Sequence, residues 1–420
     1  MRTLFILSIF ITQFCFAQNK SITLDSCVKM AKEHYPLIKQ NQLIEDTKEN
    51  NIQSIQRELL PRLNLISQAS FQSEVTEFNL PGFKMPAFPK DQYFSSLQLE
   101  QTIFDGGLVK QEKTIEKLSA ENEKQKNEIE LYKIVDRVNA IYSSILLSKA
   151  NRNILEIYAE NINNKKGNLH IALKNGLVLQ SSLDELEAEA LKTDQSIDEI
   201  QINLDALYAS LSFLTGNSIN KNTELLTLPI GGDLETMVIN RAEIKWFDTQ
   251  KNLLDARQAL TNKTSIPKLS VFGEGNYGRP GYNFLDQNMR AFGKAGILLK
   301  WNISSLYKLG KEEQKLNINK KMIDLQKEVF EFNLKTTMNT QLAQINALKS
   351  NIEKDKIIIE KRQNIKKTAA SQLDNGVITS TEYLVQLNAE MQAVLNQKVH
   401  EIKLMNAITT FHTTQGITNF

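Results

Sequence analysis

Two kinds of hydrophobic periodicity alternate along this chain. Leu131, Ile134, Val138, Ile141 and Ile145 recur in steps of three and four, and Met338, Leu342, Ile345, Leu348 and Ile352 form a similar series. About one apolar residue per turn, on a surface otherwise made of Lys, Glu, Asn and Gln, is a coiled-coil seam rather than the face of a globular core. No proline interrupts residues 105–172 or 304–373, so each stretch predicts one unbroken helix. At 1.5 Å per residue each makes a rod of about 100 Å. Rods of that length must pack along one another. Asn175-Gly176 and Asn375-Gly376 supply the left-handed position that ends each rod and reverses the chain into a second helix.

Four segments between the helices alternate with period two, the signature of strands. Over residues 62–73, Leu63, Leu65, Ala69 and Phe71 alternate with Asn64, Gln68, Ser70 and Gln72. Over 93–104, Leu97, Leu99 and Ile103 alternate with Ser96, Gln98, Glu100 and Thr102. Over 268–277, Leu269, Val271 and Tyr277 alternate with Ser270, Glu274 and Asn276. Over 291–302, Ala291, Ala295, Ile297, Leu299 and Trp301 alternate with Lys294, Lys300 and Asn302. Each is about 10 residues long, enough for a tilted strand to cross a bilayer. Phe71, Tyr93, Phe104, Tyr277, Phe292 and Trp301 stand near the strand ends, where aromatic girdles meet the membrane interfaces. By pattern alone, a soluble sheet with one face on a core fits equally well.

The order is written twice. Pro36-Leu37-Ile38 precedes Pro61 by the same interval that separates Ala242-Glu243-Ile244 from Pro267. Lys174-Asn175-Gly176-Leu177 matches Asp374-Asn375-Gly376-Val377, and Gly216 matches Gly416, both offset by 200 residues. The expected organisation is a first repeat over 18–217, a connector over 218–233 through Pro229 and Gly231-Gly232, and a second repeat over 234–420. Each repeat runs helix, two strands, long helix, tip turn, helix.

Residues 1–17 read as a signal peptide: Arg2 begins it, Leu4 to Phe16 is apolar, and Cys15-Phe16-Ala17 ends in a cleavage pattern before Gln18. The apolar run is shorter than the roughly 20 residues a spanning helix needs. No later stretch reads as such a helix, so any membrane insertion uses strands. Four strands cannot close a barrel, and an open edge in lipid strands backbone groups at several kcal/mol each. Several chains must then contribute to one barrel. Its expected lumen charges are Glu100, Glu274, Lys294 and Lys300.

Composition narrows the chemistry. Among 420 residues, 50 Lys and Arg face 48 Asp and Glu, unlike the basic excess of nucleic-acid binders. Hydrophobic residues make up 41%, too few for a multi-span helical membrane protein. Cys15 and Cys27 are the only cysteines, and Cys15 falls in the expected leader, so no internal disulfide is expected. His34, His170, His400 and His412 are scattered without ligand spacing, and no metal site is expected. Gly273-Glu274-Gly275-Asn276-Tyr277-Gly278 fits GxGxxG, but Arg279-Pro280-Gly281 follows where a dinucleotide site needs a helix. No catalytic constellation and no cofactor site are expected.

These features together resemble the TolC-like outer membrane efflux proteins of Gram-negative bacteria. The resemblance runs over nearly the whole mature chain. It rests on Thr23-Leu24-Asp25-Ser26-Cys27-Val28 with Ala31 and Tyr35-Pro36, and on Asn240-Arg241-Ala242-Glu243-Ile244. It rests further on Leu60-Pro61-Arg62-Leu63 with Ile266-Pro267-Lys268-Leu269, on the two Asn-Gly turns, and on Leu214-Thr215-Gly216. It implies a mainly α protein with transmembrane β: long antiparallel coiled-coil helices and four strands per chain, three chains forming a 12-stranded barrel and an α-helical periplasmic tunnel. It implies a passive exit duct for efflux or type I secretion, partnered by a periplasmic adaptor and an inner-membrane pump. By position the adaptor-contacting tips are Asn175, Gly176, Leu177 and Val178, and Asn375, Gly376, Val377 and Ile378. The acid expected at the periplasmic aperture is Glu382, with Asp184 the corresponding candidate in the first repeat. Both acids also fit an ordinary solvated helix face. The basic residue some members carry at the tip is replaced by Ile378. The alternative is a soluble periplasmic coiled-coil adaptor or scaffold, which accounts for the helices and the leader but not for the strands.

Overall fold

The computed structural model describes residues 21–76, 79–84, 88–227 and 238–418. The expected signal peptide and the connector residues Pro229, Gly231 and Gly232 lie outside the described residues. In chain order the elements are β1 (Ser21–Ile22), α1 (Leu24–His34), α2 (Leu37–Arg57), β2 (Arg62–Phe71), β3 (Asn79–Leu80), β4 (Phe83–Lys84) and β5 (Asp91–Phe104). There follow α3 (Leu108–Lys174), α4 (Gln180–Thr215), β6 (Glu224–Leu225), α5 (Ala242–Thr264), β7 (Lys268–Arg279), β8 (Arg290–Lys300), α6 (Ser305–Asp374) and α7 (Ser380–Gln415). The two long helices are unbroken, at 67 and 70 residues. Among the described residues, no helix is long and apolar enough to cross a membrane.

The first long helix starts three residues later than its proline-free stretch because Asp105 caps it. The carboxylate accepts from the Gly107 and Val109 amides, both at 2.8 Å. Gly106 and Gly107 turn the chain with φ of +71° and +81°, a region open to glycine.

The chain divides into two compact units, each drawn from both halves of the sequence. One comprises Met1–Ile38, Ile129–Arg241 and Phe332–Phe420, the other Lys39–Glu128 and Ala242–Glu331.

In the first unit, α1 buries Leu24, Cys27, Val28 and Ala31 against Ile134, Val138 and Ile145 of α3 and Leu204, Tyr208 and Leu211 of α4. Thr23 caps α1 by accepting from the Ser26 amide. The Tyr142 hydroxyl lies 2.9 Å from the Ile22 carbonyl and 2.7 Å from the Leu226 carbonyl, tying the parallel β1–β6 pair to α3. A second core joins Met338, Ile345, Leu348 and Ile352 of α6 to Leu404, Ala407 and Phe411 of α7. The predicted seams thus pack inside this unit, with Ile141 and Leu342 half-buried and the rest buried. Gly216 and Gly416 end α4 and α7 in the left-handed conformation. A Cβ on Gly216 would meet the His34 ring at 2.5 Å, and one on Gly416 the Asn240 carbonyl at 2.3 Å, so both close approach and backbone demand glycine.

In the second unit β3 pairs with β4 alone, and the four long strands form one antiparallel meander in the order β2-β5-β7-β8, so β5 and β7 join the hairpins of the two repeats. The register places residues of like parity in rows across the sheet: Leu63, Leu99, Gly273 and Ala295 form one row, and Asn64, Gln98, Glu274 and Lys294 the next. Among the described residues, strands β2 and β8 are edges with no outer neighbour.

Candidate functional site

Two surfaces carry the residues that the sequence singles out, one in each unit. The first is the sheet. Its odd-numbered face is apolar and uncovered: Leu65 is 71% exposed and Ile297 72%. Its even-numbered face holds all four expected lumen charges and pairs them. Lys294 meets Glu274, directly opposite on β7, at 3.0 Å. Lys300 stands opposite Lys268 and reaches Glu100 on β5 at 2.9 Å. At the loop end, on the apolar side, Arg279 pairs with Asp91 and lies over the Tyr93 ring.

The aromatic positions divide. The register puts Phe71, Tyr93 and Tyr277 near the loop end of the apolar face, beside Asp91, Ala69 and Ala291 respectively. Phe104 reaches that face through a bulge between Thr102 and Phe104 that sets it opposite Leu269. Phe292 contradicts the girdle expectation. It pairs with Asn276 on the polar face and packs edge-on against Tyr282, with ring centroids 4.8 Å apart. The β7 glycines of the GxGxxG match lie within the strand, which continues to Arg279, so no helix opens there.

The second surface is the helical tip of the first unit. At Asn175-Gly176, the Gly176 amide donates to the Leu173 carbonyl at 2.9 Å and the Leu177 amide to that of Ala172 at 3.0 Å. At Asn375-Gly376, Gly376 donates to Leu373 at 3.0 Å and Val377 to Gln372 at 2.8 Å. Each is a Schellman cap with glycine in the left-handed position, φ +69° and +71°. Leu177 and Val377 are exposed, while Ile378 packs on a core of Tyr158, Leu183, Leu186, Leu373, Tyr383 and Leu387.

Contacts between the repeats hold the two hairpins together. Lys165 of α3 pairs with Asp374 of α6 at 2.7 Å. The Tyr158 hydroxyl lies within hydrogen-bond reach of Glu189 and Asn388. Glu185 of α4 accepts from the Ser380 hydroxyl at 2.5 Å and the Thr381 hydroxyl at 2.7 Å. Those hydroxyls hold its carboxyl below the usual carboxylate range. Glu185 escaped the sequence reading because its partners lie nearly half the chain away.

The two expected aperture acids occupy different settings. Glu382 forms a capping box at the start of α7: it accepts from the Thr379 amide at 2.8 Å, and the Thr379 hydroxyl accepts from the Glu382 amide at 3.2 Å. It also borders a groove floored by Ile365, Ala369 and Ile378. Asp184 is exposed and accepts from Gln180, one turn earlier in α4, at 2.8 Å.

Comparison with solved structures decides the fold. The outer membrane protein VceC of Vibrio cholerae superposes with a TM-score of 0.67 at 13% identity, over 94% of this chain and 96% of that one. The CmeC outer membrane channel of Campylobacter jejuni gives 0.61 at 15%, over 94% and 86%. The MtrE outer membrane channel of Neisseria gonorrhoeae, solved in its open state, gives 0.66 at 11%, over 94% and 89%. The chain has the TolC-like outer membrane channel fold. At these identities the likeness is one of fold. No family model and no curated protein matches the sequence. In a TolC-like fold the four strands of one chain do not close a barrel, in keeping with the open edges of β2 and β8.

Proposed function

We propose that this protein is an outer membrane channel, a passive exit duct of a tripartite efflux or type I secretion system. The observation that carries the reading is the open four-stranded meander, apolar and exposed on one face and ion-paired on the other. An antiparallel sheet with bare edges is stable in lipid only when it closes. Three chains would supply twelve strands, with each β2 pairing with a neighbour's β8. The apolar face then meets lipid, and the face bearing Glu100, Glu274, Lys294 and Lys300 lines a water-filled lumen. The helical tips at 175–178 and 375–378 would meet a periplasmic adaptor coupled to an inner-membrane pump. Glu382 and Asp184 would be the acids at the periplasmic aperture. The duct performs no chemistry, and lumen charge tunes what passes. The soluble-adaptor alternative leaves a broad apolar sheet face in water, which monomeric soluble proteins rarely do.

Cell fractionation followed by planar-bilayer recording tests this. The protein is expected in the outer membrane fraction, and the purified oligomer is expected to give discrete single-channel steps. Recovery as a soluble periplasmic protein without channel activity would contradict the reading.

A further inference from the structure

Three phenylalanines lie on the polar face of the sheet, and one of them carries a loop. Phe94 and Phe272 each stand opposite a glycine, Gly278 and Gly296. Phe292, near the start of β8, stands opposite Asn276 instead. A ring among polar neighbours gains from any apolar cover it can find. Here the cover is Tyr282, from the connection between β7 and β8. The two rings meet edge-on, with centroids 4.8 Å apart, a favoured aromatic geometry. The Tyr282 hydroxyl donates to Glu274 at 2.5 Å and lies 3.5 Å from Asn276 Nδ2. Lys294 Nζ sits 5.7 Å from the Tyr282 ring centroid, within cation–π range, while it pairs with Glu274 at 3.0 Å. Four polar-face side chains, two from each strand, thus hold one loop residue above the sheet.

The loop is braced to stay there. A Cβ on Gly281 would meet the Phe292 ring at 3.2 Å, so the backbone itself comes down on that ring. Asp286 accepts from the Asn288 amide at 3.1 Å and pairs with Arg290 at 2.5 Å. The Phe284 ring centroid lies 6.3 Å from that of Phe88, in the connection that leads to β5. Tyr282 remains 52% exposed, so its ring projects from the face. The topology gives its level. Helices α2, α3, α5 and α6 join the sheet at Arg62, Phe104, Lys268 and Lys300, and the β2–β5 and β7–β8 connections lie at the opposite end. In the proposed channel that end is the outer mouth, and the polar face lines the lumen. A barrel of about eight strands is filled by its own side chains, and one of about sixteen leaves an aqueous channel. At twelve strands, three inward rings take a large share of the opening.

We propose that Tyr282, seated on Phe292 and Glu274, sets the size limit of the outer mouth, its copies forming an aromatic collar that cargo must pass. The inference rests on the channel proposed above, and its test separates the two. Purified protein is recorded in planar bilayers with polyethylene glycols of graded mass in one chamber at a time. A polymer that enters the mouth lowers the conductance, and an excluded one does not. Protein added to one chamber presents its loops to the other, because the long charged helices do not cross. The expected result is that Tyr282→Ala admits, from the loop side, polymers that the unsubstituted channel excludes, with the cut-off from the helix side unchanged. Phe292→Ala, which removes the seat and keeps the tyrosine, shifts the loop-side cut-off in the same direction. Should that strand variant fail to insert, Tyr282→Ala, altered only in a loop, carries the test alone. An unchanged loop-side cut-off in either variant while it conducts, or an equal shift from both sides, would overturn the collar and leave the channel standing. Absence of channel steps in the unsubstituted protein would overturn both.

Discussion

At the tip, Glu185 is the residue whose chemistry is easiest to read in solution. Hydrogen bonds from Ser380 and Thr381 lower its folded pKa. A depressed carboxylate stabilises the folded state fully above its unfolded pKa of about 4.3, and the contribution disappears as pH falls through the folded value. Glu185 is exposed, so solvent screens these bonds, and thermal melts of wild type and Glu185→Gln should therefore differ by about 0.5 kcal/mol at neutral pH and converge in strong acid. A difference that persisted or grew on acidification would show that the carboxylate is not the stabilising species. The residues around it differ in how legible they were. Gly176 and Gly376 announce themselves, because Asn-Gly after a long helical stretch leaves the chain few other conformations. Thr379 and Glu382, spaced as a capping box, carried a readable helix start, although the family resemblance pointed to an aperture role. Glu185 carried no local signal, since carboxylates on helices are ordinarily solvated and its hydroxyl partners belong to the other repeat.

Among the elements, the strands show where period-two reading succeeds and where it stops. Alternation assigned the correct face to every charged residue it selected: Glu100, Glu274, Lys294 and Lys300 share one side. It could not see the bulge that carries Phe104 to the apolar face, whereas for Phe292 the same alternation, which sets 292 with 294 and 300, already opposed the girdle expectation. The pairing of β5 with β7 likewise depends on tertiary contacts between repeats. The face proposed to line the lumen holds five strand cations, Arg62, Lys268, Arg290, Lys294 and Lys300, against two strand acids, Glu100 and Glu274. A cationic wall concentrates anions. Under a potassium chloride gradient the reversal potential is therefore expected to favour chloride, and Lys294→Glu to move it toward potassium. Cation preference in the unsubstituted channel, or no shift in the variant, would place this face outside the conducting path. On the helices, the buried seams were legible because burial and periodicity coincide there.

At the scale of the whole molecule, the described residues leave open the edges β2 and β8, the apolar sheet face, and helical surfaces of α2 and α6. Sequence duplication made much of the architecture readable, since each repeat checks the element order of the other. What duplication could not convey is that each compact unit takes residues from both repeats. In the proposed channel, lipid and sister chains supply these missing neighbours and close the ring of strands. Native mass spectrometry of the mature protein released from detergent micelles tests this most directly. A single species of three chains that persists on dilution is the expected result; a lone chain that remains soluble without detergent would contradict the account.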